Sequence, residues 1–444
     1  MSSAQHHRIG RRVFLARSAS ATAATLAYAK GLPAESADKN DRPAVAVIGA
    51  GWQPEVRRFG RGMKIGQQAA EFADVAVVCE VDTVAGDRAV QDLSGGKADL
   101  VDDYRRVIDR DDIDAVLIGT PDHWHVKIAV EALRAGKDVY CEKPVTVTID
   151  EGKILRDVVK ETGRVFQVGT QQRSEYDSRF LKAVALVRNG RVGKLSQIHI
   201  GLGPGRQGKS FQKTPVPTTL NWERWLGPAP KTAYIPERCH RMFRFWYEYA
   251  GGQMTDWGAH HVDIAQWAIG RQNDGPVSVA GTGTMNQPLD RNGMPTRSDT
   301  YNTPVDFSVK CVFPGDVEMV IDSSRNGITF TGDAGRFFVN RGKLEGKPVD
   351  QLESRPLPED AVAELYGGKE PTSHMGHFFD CLKTRGTPIS DIDSHHRILT
   401  TCHLANISLR LGRPIRWDSR SEQIIGDEVA TSLMSRSYRE GYEF

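Results

Sequence analysis

Residues 44–51 run Ala44-Val45-Ala46-Val47-Ile48-Gly49-Ala50-Gly51. A short apolar run that stops at Gly-x-Gly opens a dinucleotide-binding unit, because the glycines permit a tight turn and let the backbone approach a pyrophosphate. The third glycine of that fingerprint is due at position 54, which is Pro54, so residues 52–60 form an insertion ahead of Gly60-Arg61-Gly62. Ile65, Ala69, Ala70 and Phe72 then give a helix-like stretch, and Val75–Cys79 a second strand ending in Glu80-Val81-Asp82. A carboxylate at this strand end bonds the adenosine ribose hydroxyls and repels a 2′-phosphate, which favours NAD; NADP is the alternative. Glu80 stands 31 residues after Gly49, against about 20 in the usual fingerprint, and the insertion accounts for much of the excess.

The alternation continues outward. Ala115–Ile118 is a strand, followed by Gly119-Thr120-Pro121-Asp122-His123-Trp124-His125 and a helical pattern over 126–136. Asp138–Cys141 is the next strand and ends in Glu142-Lys143-Pro144; a helix over about 150–162 leads to a strand at 165–168. Strands and helices alternating at this spacing predict an α/β fold with a doubly wound parallel sheet. Ligands of such sheets sit outside the carboxyl ends of the strands, where Thr120, His125, Lys143 and Gln171 fall.

At 444 residues the chain is long enough for two domains. With 39% hydrophobic and 26% charged residues it is of ordinary globular composition, which excludes intrinsic disorder and fibrous repeats. No run of apolar residues is long enough to span a bilayer, so no membrane association is expected of the mature form. Residues 1–29 hold four arginines and no acid, leaving 54 basic against 56 acidic residues in the remainder. That balance does not suggest nucleic-acid binding. Gly10-Arg11-Arg12-Val13-Phe14-Leu15, an uncharged stretch over 18–29 and the ending Ala27-Tyr28-Ala29 resemble a twin-arginine (Tat) export signal. A signal over 1–29, a linker over 30–41, a periplasmic address and a cofactor loaded before export are therefore expected. The six cysteines have neither CxxC nor metal-type spacing and read as mostly structural thiols, and no metal is expected.

A second motif is Gly251-Gly252-Gln253-Met254-Thr255-Asp256-Trp257-Gly258-Ala259-His260-His261-Val262-Asp263. Its spacing predicts Asp256, His260 and Asp263 on one helical face. Five of the eight tryptophans, including Trp257, fall between 222 and 267; such rings stack on sugar faces or fill cores. Arg241, Arg244, Tyr247 and Glu248 line a polar pocket or form a solvated face.

Gly-Thr-Pro-Asp-x-x-His, Cys-Glu-Lys-Pro about twenty residues later, and Gly-Gly-x-x-x-Asp-x-Gly-x-His-x-x-Asp together resemble the Gfo/Idh/MocA oxidoreductases over about 42–418. The resemblance implies a Rossmann domain (42–170), an α+β domain with a large, mostly antiparallel open sheet (171–375), a helical segment with a closing strand (376–418) and a tail (419–444). It implies a homodimer or homotetramer. It also implies that Lys143 holds the substrate oxygen and the nicotinamide region, that His260 is the acid/base, and that Asp256 orients the substrate and tunes His260. Gly49, Gly51, Glu80, Asp82, Thr120, Pro121, His125, Glu142, Lys143 and Gln171 are the expected cofactor set; Arg244, Tyr247, Trp257 and His261 are the expected substrate contacts. The expected activity is NAD(P)-dependent hydride transfer at a hydroxyl-bearing carbon of a sugar, glycoside or cyclitol. A periplasmic enzyme has no large NAD pool, so the cofactor is expected to be tightly held. The alternatives are a redox-neutral NAD-dependent glycoside hydrolase or epimerase, and a non-catalytic sensor, against which the intact Lys143, Asp256 and His260 count.

Overall fold

Strand β1 (Ala44–Ile48) sits at the centre of a six-stranded sheet with β4 (Asp74–Cys79) on one side and β6 (Ala115–Ile118) on the other. The order is β5-β4-β1-β6-β7-β8, with β5 Asp99–Val101, β7 Asp138–Cys141 and β8 Phe166–Val168, and every pairing is parallel. Counted along this domain alone, that is the 3-2-1-4-5-6 order of a doubly wound dinucleotide fold, whose switch point lies between β1 and β6. The strands are apolar throughout because both faces are covered. Ala46, Ile48, Val77 and Ile118 pack into one core, and Val45, Val47, Val78 and Leu117 into another. The computed structural model describes residues 42–53, 58–315 and 317–444; the twin-arginine segment, the linker and Pro54 lie outside them.

The insertion after Gly51 is a small hairpin, β2 (Trp52–Gln53) on β3 (Arg58–Phe59). Helix α1 (Arg61–Ala69) starts only after it. A Cβ on Gly62 would lie 2.1 Å from the Gly49 carbonyl oxygen, so Gly62 is a tight-packing glycine displaced along the chain by the hairpin. The fingerprint is interrupted rather than missing its last member.

The second sheet has nine strands in the order β15-β14-β13-β9-β12-β11-β10-β16-β17. These are β9 Leu195–Gly201, β10 Ser278–Met285, β11 Pro304–Phe313, β12 Val317–Asp322, β13 Gly327–Gly332, β14 Gly335–Val339, β15 Leu344–Gly346, β16 Ile415–Asp418 and β17 Gln423–Ile424. Only the β9–β12 pairing is parallel. Period-2 alternation in β11 turns Val305, Phe307, Val309, Cys311 and Phe313 inward and leaves Asp306, Ser308 and Lys310 outward. The inward face shares a core with residues of α3 (Gly258–Ala268) and α5 (Ile392–Leu411). Helix α4 (His374–Thr384) returns to the first sheet, where Met375, Phe378 and Phe379 join the core of Val45 and Val47. All six cysteines are buried and free.

The second motif does not form one helix. Helix α2 (Gly252–Asp256) stops and α3 begins at Gly258, with Trp257 between them. Asp263 therefore does not share a ligand face with Asp256 and His260. It is fully buried and holds Arg173 through two bonds of 2.8 and 2.6 Å. Arg173 also donates to the Ile389 carbonyl and to Ser394 Oγ, which ties the end of the first sheet to the second domain. Removing one member of a buried pair leaves the other charge uncompensated. Asp263→Ala is expected to destabilise the protein by about 3–5 kcal/mol, measured as a lower urea midpoint. A loss below about 1 kcal/mol, the range of exposed pairs, would show that the pair does not hold these segments together.

Candidate functional site

A cavity of about 420 Å³ opens at the carboxyl ends of the parallel strands. It is lined by Gly49 and Gly51 after β1, Glu80 and Asp82 after β4, Thr120 and Pro121 after β6, Glu142 and Lys143 after β7, and Gln171 after β8. The carboxyl-edge rule thus places every predicted cofactor residue in one space, His125 included.

The nucleotide end is built by the backbone. Gly49 has φ +79°, and a Cβ there would lie 2.6 Å from Thr120 Cγ2 and 2.7 Å from the Thr120 backbone. Gly51 N–H donates to Glu80 Oε2 at 2.9 Å, while Val81 and Asp82 N–H donate to Oε1 at 2.8 and 3.1 Å. Glu80 is therefore fixed at the edge of the glycine turn. Asp82 lines the same space, and its Oδ1 caps the next helix through Val84 and Ala85 N–H.

Several groups depart from the positions expected of them. Both ring nitrogens of His125 lie on backbone carbonyls, Nδ1 on Pro144 at 2.8 Å and Nε2 on Thr120 at 2.9 Å. It clamps two loops rather than presenting a ring nitrogen to a ligand. Burial pushes it below its ordinary pKa. His261 is fully buried between Gln172 and Asn326 and is not in the cavity wall. Tyr247 is also outside the wall: its N–H donates to Asn302 Oδ1, its hydroxyl faces Asn406, and Arg410 covers its ring. The helix break at Trp257 and the turn at Trp246–Tyr247 turn these two side chains into packing. Trp257 and Arg244 do line the cavity. Of the other clustered tryptophans, Trp222, Trp225 and Trp246 form a satellite core with Tyr234 and Tyr249, and Trp267 joins the main core.

The far end of the cavity is a network of charges. Lys143 Nζ donates to Asp256 Oδ1 at 2.6 Å and to the Asp256 carbonyl at 2.7 Å. Arg244 Nε lies 3.3 Å from the same Oδ1. Burial and then the Arg244 charge push Lys143 below its ordinary value, with Asp256 opposing. Burial alone raises Asp256, but Lys143 and Arg244 outweigh it and hold the carboxyl far below its usual range. His260 is 4% exposed, and its Nδ1 has no hydrogen-bond partner. Burial, then the charges of Lys143 and Arg341, keep it neutral well below pH 6.5. Arg61 Nη2 meets Glu142 Oε1 at 2.6 Å, and Gln171 donates to the same oxygen at 2.9 Å.

Other wall residues carry no site signal in the sequence, among them Asp122, Arg61, Tyr176 and Arg341. Asp122 falls inside the Gly-Thr-Pro-Asp motif, and burial pushes its carboxyl up to about 8, Arg244 opposing. Arg61 stands between two glycines. Tyr176 and Arg341 belong to loops with no motif around them. Only a three-dimensional arrangement brings these last two to the wall.

Two wall residues carry a buried polar atom without a partner, Thr120 Oγ1 and Glu142 Oε2. With the Cβ-free cradle at Gly49 and Gly62 and the fixed carboxylate of Glu80, they fit a dinucleotide.

Comparison with known proteins gives the same result. Residues 44–170 match the description "Oxidoreductase family, NAD-binding Rossmann fold", and residues 205–304 and 342–444 match "Oxidoreductase family, C-terminal alpha/beta domain", the two parts of the Gfo/Idh/MocA family. The chain is 26% identical over 325 residues to scyllo-inositol 2-dehydrogenase (NAD(+)) of Bacillus subtilis, covering 71% of this chain and 81% of that one. It is 28% identical over 209 residues to an alpha-N-acetylgalactosaminidase of Shewanella oneidensis, 43% of this chain and 45% of that one. The WlbA dehydrogenase of Bordetella pertussis, solved with NADH and UDP-GlcNAcA, superposes with a TM-score of 0.60 at 18% identity, covering 86% of this chain and 99% of that one. The glycine cradle, the carboxyl-edge cavity and these matches agree: the chain is an NAD-binding oxidoreductase of the Gfo/Idh/MocA family.

Proposed function

We propose that the chain transfers hydride to or from a hydroxyl-bearing carbon of a sugar, glycoside or cyclitol, with Lys143, Asp256 and His260 as its working residues. The observation that carries this is the buried Lys143–Asp256 pair beside an unpartnered His260 in the cavity wall. The scyllo-inositol dehydrogenase likeness supports a polyhydroxylated substrate.

Gly49, Gly51, Glu80 and Thr120 would hold NAD, which would supply the hydride acceptor and donor. The remaining work is proton and charge management. His260 accepts the hydroxyl proton at a ring nitrogen; its neutrality leaves the lone pair available. Lys143 has three N–H donors, two engaged by Asp256. The third meets the substrate oxygen and stabilises negative charge that develops there. Asp256 fixes the direction of that donor, and Trp257 offers a ring face beside His260, with centroids 5.8 Å apart.

A second assignment, redox-neutral glycoside hydrolysis or epimerisation by the same groups, draws on the alpha-N-acetylgalactosaminidase likeness. Release of p-nitrophenol from aryl glycosides without net NADH separates it from simple oxidation. The Arg11-Arg12 segment is proposed to direct twin-arginine export to the periplasm with cofactor aboard. The outward face of the nine-stranded sheet is proposed to join copies as a homodimer or homotetramer.

Lys143→Met and His260→Ala are each expected to lower turnover by about 10²–10⁴-fold while circular dichroism stays near wild type. Turnover close to wild type in either variant removes that residue from the mechanism. A base whose pKa is depressed loses activity only at correspondingly lower pH. The acid limb of kcat/KM is therefore expected below pH 6.5, and a limb at or above that value would exclude His260 as the base. Denaturing the purified protein is expected to release one NAD(H) per chain, identified by mass. Empty protein would refute a captive cofactor, and NADP(H) would refute the role given to Glu80.

A further inference from the structure

Arg341 follows β14 and lines the cavity. Its guanidinium lies over two aromatic rings, 4.7 Å from the Tyr176 centroid and 4.6 Å from that of Trp257. Tyr176, Asp177 and Ser178 have φ of 65°, 53° and 55°, three successive left-handed residues with a Cβ, a conformation such residues disfavour. A strained turn thus holds one ring against Arg341, and the other ring belongs to the neighbour of His260. Arg341 is oriented, but not by a carboxylate. Its Nε is buried with no hydrogen-bond partner, and among the described residues no acid lies within ion-pair distance of it. Arg224, Arg238, Arg436 and Arg439 also have a buried unbonded nitrogen, yet each has another nitrogen in ion-pair range of a carboxylate. Arg341 differs from all four.

The rest of the wall does not supply the missing charge. Asp256 is shared by Lys143 and Arg244, and Glu142 is taken by Arg61. Asp122, with its carboxyl raised to about 8, is mostly uncharged at neutral pH. Arg241 also lines the cavity with no acid in ion-pair range among the described residues, and Arg58, Arg244 and Arg206 all repel it. This end of the cavity therefore carries an excess of fixed cations, costly unless an anion joins them. A guanidinium fork suits a carboxylate, sulfate or phosphate.

We propose that the substrate is an acidic sugar, whose oxyanion substituent Arg341 receives while its carbinol carbon lies at Lys143 and His260. This rests on the sugar oxidoreductase assignment above and narrows it.

The test is a calorimetric titration of the full chain, saturated with NAD, using two matched pairs: methyl β-D-glucuronide against methyl β-D-glucoside, and glucose 6-phosphate against glucose. The acidic member of at least one pair is expected to bind about ten- to a hundredfold more tightly, and the pair that shows the preference names the oxyanion. Arg341→Gln should collapse that ratio, and Arg341→Lys, which keeps the charge but loses the guanidinium fork, should lower it less. No preference in either pair overturns the proposal. So does a variant that weakens NADH binding and leaves the ratio unchanged, since the cation then serves the cofactor phosphates. NADH absorbance in the same samples separates the two claims. Hydride transfer from neutral sugars without acidic preference keeps the oxidoreductase and refutes the acidic substrate. Preferential acidic binding with no NADH from any probe does the reverse.

Discussion

An ammonium taken out of water must be given a carboxylate, and Lys143 finds its own in the other domain. Lys143 leaves the end of β7, whereas Asp256 closes α2, 113 residues later. The bond between them requires both sheets to be in place, so the site exists only when the two domains are packed. Arg173–Asp263 makes the same demand nearby, from the end of the first sheet to α3. A buried pair adds little net stability over a packed apolar pair, but breaking one is expensive. The two pairs therefore specify one relative placement of the domains rather than supply the bulk of the folding energy, which comes from the apolar cores.

The same pair sets the electrostatics of its neighbours. Asp256 satisfies Lys143 and Arg244 together, so it leaves neither with a full countercharge. Burial, then the charges of Lys143 and Arg341, hold His260 neutral. A neutral imidazole beside an ammonium is the division of labour that carbinol chemistry requires, one group to take a proton and one to hold the oxygen. Asp122 stays protonated under heavier burial despite Arg244. The wall thus contains two carboxyls of opposite state, Asp256 ionised and Asp122 neutral, set by which of them contacts cations directly.

The parallel sheet was legible because its strands are apolar on both faces and end at glycines or carboxylates. Those features are local, and Gly49, Glu80, Thr120 and Lys143 needed no partner to be recognised. The second motif was legible as a composition and misleading as a periodicity. Helical spacing carried Asp263 to the face of Asp256, but the chain breaks at Trp257 and Asp263 turns to Arg173. Tyr247 and His261 failed for a related reason: adjacency to site residues says nothing about which way a side chain points once the helix is interrupted. Gly62 is visible in the sequence just past the insertion, but its tight packing on Gly49 shows only in the folded chain. Arg341 and Tyr176 were out of reach because two loops 165 residues apart meet only in the folded chain.

The choice of nucleotide follows from the turn that binds it. Glu80 accepts from Gly51, Val81 and Asp82 N–H groups, and the first of these belongs to the glycine turn itself. Burial raises this carboxyl, and the three donors oppose that by favouring its ionised form. A carboxylate so held cannot swing aside, because doing so would strip three backbone donors of their partner at once. A 2′-phosphate would bring a second negative charge against it, whereas ribose hydroxyls donate to it. Accepting NADP would therefore require rebuilding the Gly49–Gly51 turn as well as replacing one acid. On the proposed assignment, cofactor specificity and pyrophosphate cradle are coupled through the Gly51 N–H that Glu80 accepts.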